Sequence, residues 1–194
     1  MPISSVERGD DQSLRHCAVF GDAFSAAQCA QLIDVFTRSV AANGGLVVGR
    51  FDQKVRQSSL VWLPEREDLS WVDMCLAKLV AEANRQLFGF ALDGFEEQMQ
   101  MAEYGPGHYY DWHIDRGQGS VAGRRKLTVS VQLTQPDLYL GGALEINADG
   151  HPFEAARELG SAVAFAATTL HRVAPIVSGV RHSLVAWVHG PAFV

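Results

Sequence analysis

Cysteine is scarce in this sequence: three in 194 residues, at Cys17, Cys29 and Cys75. The count is odd, there is no C-x-x-C, and no pair has metal-ligand spacing, so neither a disulfide framework nor a zinc knuckle follows. Cys29 and Cys75 fall on the apolar faces of expected helices, where a thiol behaves as a small hydrophobe. That usage suits a reducing compartment, and a cytoplasmic location is expected. Long apolar runs are also missing. No stretch approaches the roughly 18 residues a membrane span needs. The N-terminal MPISSVERGDDQ lacks the basic start and apolar stretch of a signal peptide. Membrane anchoring and secretion are therefore not expected. Positive charge is short as well, with 16 Lys and Arg against 22 Asp and Glu, a formal net charge of −6. Such a chain repels phosphate backbones, so nucleic acid and anionic lipid are not expected partners. Arg124-Arg125-Lys126 is the one basic run and reads as a solvated loop.

What is present is globular. Hydrophobic residues make up 47% and charged residues 20%, without the Pro, Ser and charge excess of a disordered chain. No internal repeat or low-complexity tract interrupts it. The length suits one domain with a sizeable core. A single domain over 1–194 is expected, helical at about 25–90 and β-rich at about 95–190.

Residues 1–15 are polar and read as a loose arm, followed by a short strand around Val19 and Phe20. Ser25-Ala26-Ala27-Gln28 has the form of a capping box. Behind it Cys29, Leu32, Ile33, Phe36 and Val40 recur at helical spacing until Asn43-Gly44-Gly45. Strand-like pieces follow at Leu46–Gly49 and Ser58–Leu63. A second helix is expected from near Ser70, with Asp73 three residues on, to Gly89. From Phe95 onward, short strand-like segments alternate with turns at about ten-residue spacing, the mark of an all-β sandwich or barrel. They are Gln98–Tyr104, His108–His113, Lys126–Leu133, Gly142–Ile146, His151–Ala155, Ala162–Ala166, His171–Val173 and Arg181–His189. The expected architecture is two N-terminal helices packed on an antiparallel double sheet.

The chemistry concentrates in Tyr104-Gly-Pro-Gly-His-Tyr-Tyr-Asp-Trp-His113-Ile-Asp115. In an extended strand, residues i and i+2 share a face, so His113 and Asp115 project together. An imidazole and a carboxylate at that spacing can hold adjacent positions on one metal ion. The best third candidate is His171, and the three would form a 2-His-1-carboxylate facial triad, which suits Fe(II) and leaves open coordination positions. Ten residues beyond stands Arg181, on one strand face with Ser183, Val185 and Trp187; His182, Leu184, Ala186 and Val188 take the other. A guanidinium on an inward face is costly unless it meets an anion, and its planar fork suits a carboxylate. The pocket so described is one for a small acid that is both chelator and anion. His108, His151, His182 and His189 read as surface or satisfied core histidines, and Trp112 as packing. Gly117–Gly123, rich in small residues, has the character of a loop lid.

These blocks resemble a known family. Tyr104, Gly107, Tyr110, His113 and Asp115 match the Y-x-x-G-x-x-Y-x-x-H-x-D pattern of non-haem Fe(II)- and 2-oxoglutarate-dependent dioxygenases, in the prolyl 4-hydroxylase-like, PKHD-type branch. Asp137 to Leu144 approaches that family's Gly-Gly turn, with Ala143 where a Glu is usual. His171-Arg172-Val173-Ala174-Pro175 and Gly179-Val180-Arg181 match its closing block. The resemblance implies a double-stranded β-helix, that is, a jelly-roll or cupin-like fold. It implies His113, Asp115 and His171 as ligands of Fe(II), and Arg181 as partner of the distal carboxylate of 2-oxoglutarate, helped by the hydroxyl of Tyr104 or Thr128. It implies a hydroxylase that acts on an unactivated C–H bond of a peptide side chain or small metabolite. O₂ would be consumed and 2-oxoglutarate decarboxylated to succinate and CO₂, with ascorbate as a supporting reductant. Three alternatives remain at this point: a nucleic-acid demethylase of the same superfamily, a non-catalytic jelly-roll ligand sensor, and a hydrolase using Zn²⁺ in the same triad. Substrate choice would fall to the Gln53–Ser59 stretch and the loops around Gly117 and Leu138. A homodimer through the N-terminal helices is an expectation that nothing in the sequence demands.

Overall fold

The computed structural model describes residues 16–42 and 55–192. The polar arm at 1–15, the Asn43-Gly44-Gly45 helix stop, the strand at Leu46–Gly49 and Gln53 lie outside the described residues. Two helices, α1 (Ala26–Ala42) and α2 (Ser70–Ala83), accompany thirteen strands among the described residues. The strands are β1 (Cys17–Phe20), β2 (Arg56–Gln57), β3 (Ser59–Trp62), β4 (Gln100–Tyr104), β5 (Tyr109–His113), β6 (Arg125–Gln132), β7 (Tyr139–Gly141), β8 (Leu144–Asn147), β9 (Phe153–Glu154), β10 (Ala162–Ala166), β11 (Leu170–Val173), β12 (Ile176–Gly179) and β13 (Arg181–His189). The expected strands that fall within the described residues are present, with ends moved by a residue or two. Three more were not expected: β2 joins the smaller sheet, and β7 and β12 form a small hairpin-like sheet of their own.

The larger sheet runs β1-β10-β6-β13-β4-β3 and the smaller β2-β5-β11-β8-β9. The strand pairings are antiparallel. This is the double-stranded β-helix that the resemblance implies. Period-two alternation sorts the larger sheet's two faces. On β6 and β13, Val129, Val131, Leu184, Ala186 and Val188 pack into one apolar cluster with Leu32 and Phe36 of α1 and Leu76 of α2. Their neighbours Thr128, Ser130, Gln132, Arg181 and Ser183 face the other way and are equally buried. A second cluster, with Leu60, Ala102, Leu144, Ile146, Phe165 and Val173, ties the two sheets together. The polar face of β6 is thus an interior lining and not a wet outer surface.

The capping box of α1 forms as its sequence spells it. Ser25 N–H donates to Gln28 Oε1 at 2.8 Å, and Gln28 N–H donates to Ser25 Oγ at 3.3 Å. No such box opens α2. Its N-cap is Leu69, and Ser70 Oγ donates back to the Glu67 carbonyl of a preceding 3₁₀ turn. The helix that was expected to reach Gly89 is regular to Ala83 and then widens into a π-turn over Asn84–Phe88, closed by Gly89 in the left-handed region. Among the described residues, no helix is long and apolar enough to cross a membrane.

Candidate metal centre

The two sheets enclose a cavity of about 450 Å³ whose walls come from both. His113 ends β5, and the chain runs on to Asp115 along the loop after β10, where Asp115 N–H donates to the Ala167 carbonyl at 3.0 Å. Antiparallel register then sets His171 of β11 directly opposite His113. Their rings stand 4.1 Å apart, centroid to centroid. One donor atom from each of His113, Asp115 and His171 lies within 4.8 Å of the other two. His113 Nε2 is 3.6 Å from Asp115 Oδ1, and His171 Nε2 is 3.5 Å from Asp115 Oδ2.

Backbone carbonyls fix how these rings are presented. His113 Nδ1 lies 2.7 Å from the Asp111 carbonyl and His171 Nδ1 lies 2.9 Å from the Thr169 carbonyl. A carbonyl only accepts, so each Nδ1 carries the proton and each Nε2 presents a lone pair to the centre. The carboxylate oxygen nearer His171 is also held, because Thr128 Oγ1 donates to Asp115 Oδ2 at 2.7 Å. Asp115 is buried, yet the charge of His171 and the bonds to both imidazoles outweigh that burial and hold its pKa well below the ordinary carboxylate value. Burial pushes the His113 pKa down; for His171 burial works the same way, but Asp115 overrides it and the pKa rises. Two imidazole lone pairs and a carboxylate that converge in a buried place need a cation between them. Neutral imidazole and carboxylate with open coordination positions suit a first-row divalent ion such as Fe(II).

At another part of the cavity wall, Arg181 is 1% exposed. Its Nε donates to Gln132 Oε1 at 3.1 Å, while Nη1 and Nη2 are buried with no hydrogen-bond partner. Among the described residues, no carboxylate lies within ion-pair distance of it. Burial pushes its pKa down. A guanidinium whose outer fork is unmet is a ready seat for a carboxylate, so a dicarboxylate keto acid fits the residues present. The fork is framed by a tight turn. Gly142 has φ +63, and a Cβ there would come 2.2 Å from Ile176 Cδ1 and 3.3 Å from Arg181 Cδ. Gly142→Ala is expected to destabilise the fold by about 1–3 kcal/mol and to weaken dicarboxylate binding. Urea unfolding and calorimetry on the same sample check both.

The other expected site residues have their own engagements. The Tyr104 hydroxyl accepts from Arg56 Nη2 at 3.3 Å, and Arg181 sits 5.5 Å above the Tyr104 ring, its cross-strand partner. The Thr128 hydroxyl goes to Asp115 as described. Trp187 lines the cavity, Gly117 reaches it from its loop, and Trp112 stacks under Arg172 instead. His182 faces away from Arg181 and pairs with Glu103.

The basic run departs from the solvated-loop expectation. Arg124 bonds to Asp93 and Glu96, and Arg125 makes a two-pronged contact with Glu97 while its Nη1 donates to the Asp115 carbonyl at 2.9 Å. Arg125 also lies 3.8 Å over the Trp187 ring. Burial works to raise the Glu97 pKa, but Arg125 and His189 outweigh it and hold it below the ordinary value. Sequence reasoning missed Gln132, Glu97 and Arg56 as parts of this site. The first continues the Thr128–Ser130 alternation and was findable; the other two are brought in only by tertiary pairing.

Comparison with known proteins finds likenesses to one family. The sequence profile of the 2OG-Fe(II) oxygenase superfamily matches residues 99–189. Over that stretch, just under half of its length, the chain is similar to that superfamily. A PKHD-type hydroxylase of Synechococcus elongatus is 39% identical over 92 residues, 45% of this chain and 40% of that relative. One of Maricaulis maris is 28% identical over 162 residues, 83% of this chain and 72% of the relative. The chain thus aligns with two fifths of the length of the cyanobacterial oxygenase. In fold, it is similar to a Pseudomonas putida prolyl-4-hydroxylase, with a TM-score of 0.71 at 23% identity over 94% of this chain and 97% of that one.

Proposed function

We propose that this protein is an Fe(II)- and 2-oxoglutarate-dependent hydroxylase of an unactivated C–H bond. One observation carries the reading: a single cavity joins three convergent metal donors to a buried guanidinium with an unmet fork. His113, Asp115 and His171 would hold Fe(II), and Arg181 would hold the distal carboxylate of 2-oxoglutarate. When bound, these groups supply oxygen activation coupled to decarboxylation of 2-oxoglutarate to succinate and CO₂. The chain's own residues supply orientation. The Asp111 and Thr169 carbonyls lock the imidazole tautomers, Thr128 fixes one carboxylate oxygen, and Arg125 pins the backbone of Asp115. Apolar walls from Leu144, Phe165 and Val173 exclude water on one side.

The substrate belongs at the mouth, where Trp62 and Ile114 are partly exposed beside Trp187. A prolyl hydroxylase of Trichoplax adhaerens with a similar fold is known in complex with a peptide fragment, which favours a peptide or protein side chain as substrate; ascorbate would be the supporting reductant. A nucleic-acid substrate fits less well, since Arg124 and Arg125 are already matched by Asp93, Glu96 and Glu97.

An anaerobic titration of Fe(II) and 2-oxoglutarate into the metal-free protein tests the reading. A weak visible charge-transfer band should grow to one equivalent of each, and admission of O₂ should convert 2-oxoglutarate to succinate. Iron binding without the band, and no succinate, would sink the assignment.

A further inference from the structure

The strand that carries His113 is irregular just before it. Along the β5–β11 ladder, His113 stands opposite His171 and Tyr110 opposite Val173, so three steps on β5 match two on β11. In a regular strand, residues three apart point to opposite faces. The extra residue at Asp111–Trp112 is a β-bulge, and it returns Tyr110 to the face of His113. Backbone bonds hold the bulge: Asp111 N–H donates to the Val55 carbonyl at 2.8 Å, and Trp112 N–H donates to Asp111 Oδ1 at 2.8 Å. The outcome is a parallel stack. The Tyr110 and His113 rings lie 3.4 Å apart, centroid to centroid, at an interplanar angle of 13°. The Arg56 guanidinium also lies over the Tyr110 ring, 4.5 Å from its centre. One face of that ring is already covered by the imidazole, so the guanidinium takes the other.

Arg56 is itself fixed. It is buried and stands opposite Tyr110 in the β2–β5 ladder. Its Nε donates to Ser58 Oγ at 2.8 Å, Nη1 to Gln100 Oε1 at 2.9 Å and Nη2 to the Tyr104 hydroxyl at 3.3 Å. Gln100 and Tyr104 belong to β4 of the larger sheet, so Arg56 is tied to both sheets and Tyr110 is clamped between it and a metal donor. The clamp supplies what the backbone does not. The Asp111 carbonyl holds one atom of the His113 ring, while the torsion that turns the ring plane is broad and soft. A flat contact across the ring face sets that plane, and with it the direction of the Nε2 lone pair.

We infer, resting on the metal reading above, that Tyr110 is a positioning residue for the metal donor His113, and that Arg56 is the clamp that holds Tyr110 against it. Neither side chain is a ligand. The Gln53–Ser59 stretch, expected to choose the substrate, thereby also sets the aim of one metal donor.

The test uses calorimetric Mn(II) affinities of the metal-free chain, with the visible bands of the Co(II)-loaded protein as a second readout. Those bands follow the direction of the donors, which a merely structural role would leave alone. Tyr110→Phe keeps the ring and should match wild type in both. Tyr110→Leu removes it, and should weaken Mn(II) about tenfold and shift the Co(II) bands; Tyr110→Val, which suits a strand, replaces it if the Leu variant does not fold. Arg56→Gln should weaken Mn(II) about threefold. Because Arg56 acts through Tyr110, the double variant should lose no more than Tyr110→Leu alone. Wild-type affinity and bands without the ring would overturn the positioning role, as would a loss in Tyr110→Phe equal to that in Tyr110→Leu. Losses that add in the double variant would overturn the clamp. A wild-type chain that binds neither ion would instead overturn the metal reading.

Discussion

Arg181→Leu should cost the protein its 2-oxoglutarate affinity without costing it stability. The two halves of that expectation have one cause. In the ligand-free chain, the Arg181 guanidinium is wholly buried, holds a single neutral partner in Gln132, and leaves both outer nitrogens unmet. A buried unsatisfied polar group costs about 1–3 kcal/mol, and more when charged. Replacement by Leu removes that penalty, adds apolar surface beside Ile176, and strands only the Gln132 oxygen. The melting temperature of the ligand-free variant should therefore equal or exceed that of wild type. Binding responds in the opposite sense. Two charge-assisted hydrogen bonds at about 1.5–3 kcal/mol each are lost, so 2-oxoglutarate affinity should fall at least about a hundredfold. Metal affinity should stay, because the His113, Asp115 and His171 donors do not touch Arg181. Scanning calorimetry with and without ligand reads both effects. A variant that unfolds several degrees early and still binds 2-oxoglutarate would show that Arg181 is a structural strut.

The same residue shows how far the sequence could be read. Arg181 was identifiable because alternation along Arg181–His189 sends Arg181, Ser183, Val185 and Trp187 to one face, and the strand is long enough for the period to be unambiguous. His113 and Asp115 were legible from their spacing, although β5 ends at His113 and Asp115 is placed by a backbone bond to Ala167 rather than by a strand. His171 is a different matter. Its position opposite His113 depends on the register of two strands nearly sixty residues apart, which no local pattern encodes. Thr128 marks the limit. Alternation groups it with Ser130 and Gln132 on one strand face without saying whether that face is wet or interior; only the fold shows that its hydroxyl meets Asp115. The basic run failed for the mirror reason. Arg124-Arg125-Lys126 looks solvated in isolation, and it is Glu96 and Glu97, some 28 positions earlier, that draw it against the sheet. Strands β7 and β12 escaped notice because each is short and carries a glycine, so neither shows a usable period.

Removal of His171 should abolish the protein's thermal response to metal. In wild type, a divalent ion that binds only the folded chain stabilises it by about 4 kcal/mol at a thousandfold excess over the dissociation constant. At about 2–4 °C per kcal/mol for a chain of this size, Fe(II) or Mn(II) should raise the melting temperature by roughly 8–16 °C. The size of that response rests on three donors held ready by other groups: two imidazoles turned by the Asp111 and Thr169 carbonyls, and a carboxylate fixed by Thr128. His171→Ala takes away one donor and one of those anchors, and the two left hold an ion weakly. The comparison is internal to each protein, metal-loaded against metal-free, so any general loss from the space opened beside Phe165 cancels. The response should also shrink as the pH falls, since Nε2 must lose its proton before it can bind an ion. Asp115 holds the His171 pKa above its ordinary value, which moves that competition upward from the pH where a free imidazole would show it. A His171→Ala protein that keeps the wild-type shift with metal would place the ion elsewhere in the chain, and the triad would then be a buried ion-pair cluster.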